Sequence, residues 1–252
     1  MTLAADHYDR LLAEHYTWML GGDLDRLAAE QEELLRGIGV TPAAAGATAV
    51  DLGCGPGNQS LALARLGFSP VLAVDTSAAL LAELTAAAGG DAAIRPVQAD
   101  LRTALPRLTR PGEAGVIVCM GDTLTHLPGK DDVTALLGAV ARALGDGGQL
   151  VITYRDLTRP LTGPDRFLLV RGTADRMLTC FLEYGDEVVH VHDLLSIRTG
   201  DTWEQRVGVY PKLRLGAGWL AGQCAAAGLT VERSEPGPRG MHLLTAVKDT
   251  RA

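Results

Sequence analysis

The sequence predicts an α/β protein: a mostly parallel, seven-stranded sheet with helices on both faces, preceded by a helical segment and carrying an antiparallel β insertion after the fifth strand. Three observations predict it. Between residues 47 and 156, short apolar runs alternate with longer helical stretches, the pattern of a parallel sheet with right-handed crossovers. The runs are apolar at successive positions, as in Val116-Ile-Val-Cys-Met120, so the strands are expected to be buried on both faces. The first run ends in a glycine-rich turn that opens a helix, the Rossmann-like arrangement in which a strand delivers a ligand loop.

Taken in order, residues 1–37 lack proline and carry Leu3, Leu11, Leu12, Trp18, Leu24, Leu27, Leu34 and Leu35 at spacings that suit an apolar helical stripe. Gly21-Gly22 divides this stretch into two helices. After a small-residue linker at 42–46, residues 47–52 read as the first strand and 59–66 as a helix stopped by Gly67. Residues 71–74 form a second strand ending in Asp75. Thr76 or Ser77 can cap the next helix, which ends at Gly89-Gly90. Residues 94–99 form a third strand ending in Asp100, 115–120 a fourth and 149–154 a fifth, with a helix from Asp131 or Asp132 to about Leu144 between the last two. Then the pattern changes. Residues 167–170, 177–184, 188–197 and 202–215 read as strands separated by turn residues, 219–227 as a helix, and 229–231 with 242–247 as a closing strand pair. The expected organisation is a helical lid at 1–46, a cofactor-binding core at 47–156, a β insertion over the active site at 157–215, and a C-terminal helix and closing strands at 216–252.

A chain of 252 residues with 47% hydrophobic residues has enough for one full core. A net charge of −7 disfavours a nucleic-acid partner. Cys54, Cys119, Cys180 and Cys224 are scattered without metal or redox spacing, so neither a metal site nor a disulfide framework is expected. Asp6, Asp9, Arg10 and Glu14 crowd the N-terminus, where a signal peptide would be apolar, and no apolar run approaches the roughly 18 residues of a membrane helix. The reading is a reduced, cytoplasmic protein with no membrane partner; a homodimer is compatible with it.

The chemistry concentrates at predicted strand ends, where open α/β sheets bind ligands. The segment Asp51-Leu-Gly-Cys-Gly-Pro-Gly57-Asn58 places glycines at 53, 55 and 57, a GxGxG spacing, whereas a dinucleotide loop reads GxGxxG. Asp51 ahead of the loop would repel a pyrophosphate and suits a cationic amino-acid group. The loop therefore favours an adenosyl cofactor bearing an amino acid over NAD. Asp75 stands where a carboxylate can hold ribose hydroxyls, and Asp100, followed by Leu101, where one can accept from an adenine amine. Met120-Gly-Asp-Thr-Leu-Thr-His126 follows the fourth strand.

Together these segments resemble the class I S-adenosylmethionine-dependent methyltransferases over residues 47–156. Tyr8-Asp9, His15-Tyr16, the Gly121-Asp-Thr-Leu-Thr-His-Leu127 run and Tyr210-Pro-Lys-Leu-Arg-Leu215 further resemble the glycine N-methyltransferase-like, small-molecule branch. The resemblance implies S-adenosyl-L-methionine as cofactor and a small-molecule methyl acceptor. It implies that Gly53, Gly55, Gly57 and Asn58 cradle the methionine part with Asp51 near its ammonium, Asp75 and Thr76 hold the ribose, and Asp100 and Leu101 meet the adenine. It also implies that Met120, Gly121 and Asp122 line the cofactor near its sulfur, and that Tyr8, Tyr16 and Trp18 belong to a lid. The Asn/Asp-Pro-Pro-Tyr run of amino-methylating enzymes that act on nucleic acids and proteins is absent, which again favours a small substrate.

Methyl transfer from a sulfonium is an in-line displacement in which the protein mainly aligns the reactants and excludes water. Nitrogen nucleophiles are favoured over oxygen through the branch resemblance alone. His126 is the leading candidate base, since an unperturbed imidazole titrates at roughly pH 6.5; the alternative is a loop-packing residue. Arg155 either binds an anionic substrate group or pairs with Asp156 or Asp122. Tyr210, Lys212 and Arg214 alternate along one strand and form either a polar wall over the site or a solvated face. His190 and His192 face one side of a strand, as substrate contacts, metal ligands or plain surface. Rival readings are a methyltransferase fold that catalyses another reaction, an NAD-dependent oxidoreductase, and a non-catalytic sensor.

Overall fold

The computed structural model describes residues 7–249. Residues 1–6, with Leu3 and Asp6, and the side chain of Asp9 lie outside the described residues. Strands β1 (Thr48–Leu52), β2 (Val71–Asp75), β3 (Ile94–Gln98), β4 (Ala114–Cys119) and β5 (Leu144–Tyr154) are parallel. A second sheet is made of β6 (Phe167–Gly172), β7 (Arg176–Tyr184), β8 (Val188–Thr199) and β9 (Thr202–Leu213), all antiparallel. Strand β10 (Leu229–Pro236) closes the first sheet through β11 (His242–Lys248), which runs antiparallel to both β5 and β10. The order of the seven-stranded sheet is β10-β11-β5-β4-β1-β2-β3. Strand order reverses between β1 and β4, the place where sheets of this kind open a ligand crevice.

The sheet is apolar on successive residues because it has two covered faces. On one side Val50, Leu52, Ile117, Cys119, Leu150 and Ile152 meet Leu136, Leu137, Val140, Leu220 and Cys224. These come from helices α6 (Lys130–Ala143) and α7 (Ala217–Ala226). On the other side Ala49, Val116, Val118, Met120 and Val151 meet Leu35, Ala62 and Leu63. Those belong to α2 (Leu24–Gly37) and α3 (Asn58–Arg65). Burial of a Leu- or Val-sized side chain contributes about 1.5–3 kcal/mol, so continuous apolar runs are the economical solution for a two-faced sheet. No helix of the described residues is long and apolar enough to cross a membrane.

Three local expectations are corrected. The N-terminal stretch breaks at Gly21-Gly22 as read, but the part before it is a wide π turn (Tyr8–Leu12), a tight 3-10 turn (Ala13–His15) and a short α1 (Tyr16–Leu20). Helix α4 (Ala78–Ala88) begins after Ser77, whose hydroxyl makes no cap; Asp75 Oδ1 accepts from the Ser77 amide at 2.9 Å instead. Helix α5 (Leu101–Leu108) was not anticipated, since Pro106 sits inside it; it is capped by Asp100, which accepts from the Arg102 amide.

The second sheet has two unlike faces. Leu178, Cys180, Leu182, Val189, Val191, Asp193, Leu195 and Tyr210 are buried on the inner one. Outward-facing rows cross all four strands: Phe167–Phe181–His192–Val209, and Leu169–Thr179–Leu194–Val207.

Candidate active site

One cleft opens at the C-terminal ends of β1 to β4, with its mouth open to solvent. Gly53 and Gly55 form its floor, and Asp75, Thr76 and Ser77 follow β2 along one wall. Asp100, Leu101 and Arg102 stand beyond them; Gly121, Thr123, His126 and Leu127 follow β4. Tyr8 and Tyr16 close it from the N-terminal segment.

The glycine loop is held by close packing. A Cβ on Gly53 would stand 2.2 Å from Thr123 Cγ2, and one on Gly57 would stand 2.1 Å from Leu84 Cδ1, both at positive φ. Asp75 fixes the loop to β2: its Oδ2 accepts from the Gly55 amide at 2.9 Å while Oδ1 holds Ser77. Asp51 lies beneath, 1% exposed, and accepts from Ser60 Oγ at 2.7 Å. Burial pushes its carboxyl up to about 7, with the nearby Asp75 charge adding to the rise. Asp100 takes a paired grip from Arg102 at 2.6–3.1 Å, and this bonding holds its carboxyl below the usual range.

The other end of the cleft is aromatic. His126 packs 5.2 Å from the Tyr8 ring and 5.6 Å from the Tyr210 ring. Its Nε2 is buried without a hydrogen-bond partner, as is Ser77 Oγ at the opposite end. Burial, and next the Lys212 ammonium, push the imidazole down to about 3. Behind it Asp122, with φ of 78°, makes four ties that join its own loop, the end of β5 and β9. Its Oδ1 accepts from the Arg155 amide at 2.9 Å and Thr125 Oγ1 at 3.0 Å; Oδ2 accepts from Lys212 Nζ at 2.6 Å; its own amide donates to the Thr153 carbonyl. Burial alone would raise the Asp122 carboxyl, but the Lys212 charge, His126 and the hydrogen bonds from Arg155 and Lys212 together outweigh it and hold it low. His7 makes a second buried tie, with Nε2 2.9 Å from Asp193 Oδ2 and its ring in a slot that a side chain on Gly208 would fill.

Of the residues expected here, Tyr8, Tyr16, Gly53, Gly55, Asp75, Thr76, Asp100, Leu101, Gly121 and His126 come together. Eight others do not line the cleft. Met120 packs into the core under the sheet, and Asp51, Gly57 and Asn58 support the loop from below. Trp18 turns away between Arg171 and Arg176, whose guanidinium carbons lie 5.8 and 5.4 Å from its ring. Asp122 is spent on its four-way tie and Tyr210 stands behind His126. Arg155 gives Asp122 its amide, while its exposed guanidinium donates to the Arg239 carbonyl at 3.3 Å. Lys212 and Arg214 share the inner face with Tyr210, but Arg214 is taken up by the carbonyls of Leu157, Thr158 and Gly185. His190 and His192 point outward, away from the cleft, and His192 pairs with Glu183. No group of His, Cys, Asp or Glu among the described residues could hold a metal. Sequence reasoning passed over Ser77, Arg102 and Thr123; each neighbours a residue already singled out.

The comparisons meet this geometry. Residues 49–148 match the family model of the methyltransferase domain. The matched segment holds the glycine loop, Asp75, Asp100 and His126. The chain is similar to the cypemycin N-terminal methyltransferase of a Streptomyces species, 32% identical over 157 residues, which cover 56% of this chain and 61% of that one. It is also 31% identical over 150 residues to the ubiquinone biosynthesis O-methyltransferase of Methylococcus capsulatus, covering 58% and 59%. The chain thus spans about three fifths of the length of these relatives. Among solved structures it shares its fold with S-adenosylmethionine-bound CalS10, an amino pentose methyltransferase of Micromonospora echinaspora. The TM-score is 0.69 at 20% identity, with 93% of this chain and 95% of that one covered.

Proposed function

We propose that the protein transfers a methyl group from S-adenosyl-L-methionine to a nitrogen or oxygen nucleophile of a small molecule. The observation that carries this is the charge layout of the cleft. Asp75 and Asp100 line one part and aromatic rings the other, and its one lining guanidinium, Arg102, is engaged by Asp100 and Asp132. A dinucleotide would bring a pyrophosphate to a floor with no free cation, whereas a nucleoside carrying an ammonium and a sulfonium suits carboxylates and ring faces. Two of the buried, unpartnered polar atoms, Ser77 Oγ and His126 Nε2, belong to residues that line the cleft, where a ligand would supply their partners.

When bound, the cofactor supplies an already activated methyl group. Asp75 and Thr76 are proposed to hold the ribose, Asp100, Leu101 and Arg102 to border the adenine, and Gly53, Gly55 and Gly121 to face the methionine part. Tyr8 and Tyr16 exclude water over the reacting centre. An imidazole pushed down to about 3 is a poor base, so His126 is read here as a neutral group whose Nε2 orients the acceptor through a hydrogen bond. An amine acceptor then enters unprotonated. The relatives named for N- and O-methyl transfer, and the amino pentose enzyme of like fold, support a small acceptor.

Mass spectrometry tests the reading: incubation with S-adenosylmethionine and a panel of small amines and alcohols should yield S-adenosylhomocysteine in an acceptor-dependent way. Calorimetry that found NADH bound and S-adenosylhomocysteine not would overturn it.

A further inference from the structure

The outer face of the second sheet has no role in the cleft, yet it gathers most of the exposed large hydrophobic side chains among the described residues. Phe167 is 67% exposed, Leu169 65%, Val207 72%, Val209 50% and Trp203 50%. Strand register puts all of them on one side, together with Phe181 and Leu194. The charged groups on this face are engaged: Glu183 is bonded to His192, the Arg166 guanidinium lies 4.7 Å from the Phe181 ring centre, and Arg198, opposite Trp203, donates to the Gly200 carbonyl. The exposed side chains present roughly 600 Å² of apolar surface, at the upper end for a soluble monomer. That is close to the roughly 800 Å² each partner gives to a standard interface.

We propose that this face is an interface with a second copy of the same chain, the two sheets packing face to face. Its sculpting is self-complementary. One edge strand, β6, carries the large Phe167 and Leu169, and the other, β9, carries the small Val209 and Val207 at the same two levels. A two-fold axis lying between the sheets along the strands sets β6 of one copy over β9 of the other, large side chains onto small. An isologous pairing needs only this one patch, and aligned sheet stacking is a common packing of two antiparallel sheets. The inner face keeps the cleft, so the pairing leaves the site open.

Sedimentation velocity on the full chain should find a dimer, and Leu169→Glu with Val207→Glu should weaken it by at least about 100-fold. Far-ultraviolet circular dichroism confirms that the variant is folded. A second variant, Leu169→Cys with Val207→Cys, reports on geometry. Within one chain these positions are three strands apart, roughly 14 Å. Facing sheets lie about 10 Å apart, so the pair across the interface is also beyond the roughly 7 Å of a direct disulfide. A bismaleimide that spans roughly 8 Å between sulfurs reaches across the interface but not across one sheet, and should give a covalent dimer. A monomeric wild type at 0.1 mM (about the upper range of such experiments) would overturn the proposal and leave the face to a different partner. A dimer that both variants leave unchanged would overturn it too.

Discussion

The two ends of the cleft are built from different kinds of contact. The glycine-loop end is local: Asp51 is bonded to Ser60 and Asp75 to Gly55 and Ser77, within 20 residues of chain. The His126 end is assembled across the molecule: Lys212 reaches Asp122 from 90 residues away, and His7 reaches Asp193 from 186. A short segment can specify the first alone. The second exists only when the second sheet, the β4 loop and the N-terminal segment are all in place. The comparison predicts that damage to the long-range ties should change acceptor handling while the loop keeps its ligand.

The largest effect is expected at Asp122. Asp122→Ala leaves the Lys212 ammonium buried and unpaired, a loss of about 3–5 kcal/mol in urea unfolding. Asp122→Asn combined with Lys212→Met should recover most of it. If Asp122→Ala bound S-adenosylhomocysteine much more weakly than the wild type, the two ends would not be separable. Next comes Gly208→Ala, whose methyl would meet the His7 ring at 2.5 Å. It should cost about 1–3 kcal/mol by overpacking and raise the KM for the acceptor while calorimetry finds S-adenosylhomocysteine affinity little changed, because Tyr8 is attached to the displaced residue.

The pH dependence separates the ends by sign. His126 is pushed down to about 3 in the folded state and titrates at roughly 6.5 when unfolded, so between these values the unfolded chain binds more protons. Its contribution to stability rises with pH and is lost as pH falls from 6.5 toward 5, by about 1–2 kcal/mol. Asp51, raised to about 7, acts oppositely: the folded chain keeps the proton, and stability falls as pH rises from roughly 4 to 7. Denaturation of His126→Asn and Asp51→Asn at pH 5 and 8 should show slopes changed in opposite directions. The smallest effect belongs to Gly55→Ala. Its methyl meets only Tyr16 Cε1 at 3.4 Å, leaving a φ of +54° to cost about 1–2 kcal/mol. Calorimetry should read it as weaker cofactor binding with little change at the His126 end.

The same contrast explains what the sequence discloses. Strand–loop–helix units with apolar runs, a GxGxG turn and an acidic residue at each strand end are written in consecutive residues, and Gly53, Gly55, Asp75 and Asp100 meet in one cleft as expected. Asp122 and His126 were visible as one run, yet nothing adjacent reveals that Asp122 turns from the cleft to meet Lys212. Gly208 carries no pattern at all; its smallness acquires meaning only opposite His7. Helix α5 stayed hidden because Pro106 speaks against a helix locally, while packing of Ala104 and Leu105 against the sheet overrides it.

Strands β8 and β9 are joined by the two-residue turn Gly200-Asp201, with Thr199 opposite Thr202. Every second residue of β9 from Gly208 to Lys212 owes its inward direction to that count. Insertion of a single residue in the turn that shifted β9 by one position would exchange its two sides, setting Tyr210 and Lys212 toward solvent and Val207 and Val209 toward the cleft. Drift in the composition of this hairpin is therefore tolerable, whereas drift in its length by an odd number is not. Hairpin length, more than the identity of any one residue in it, is the quantity that chains sharing this inner face would have to hold constant.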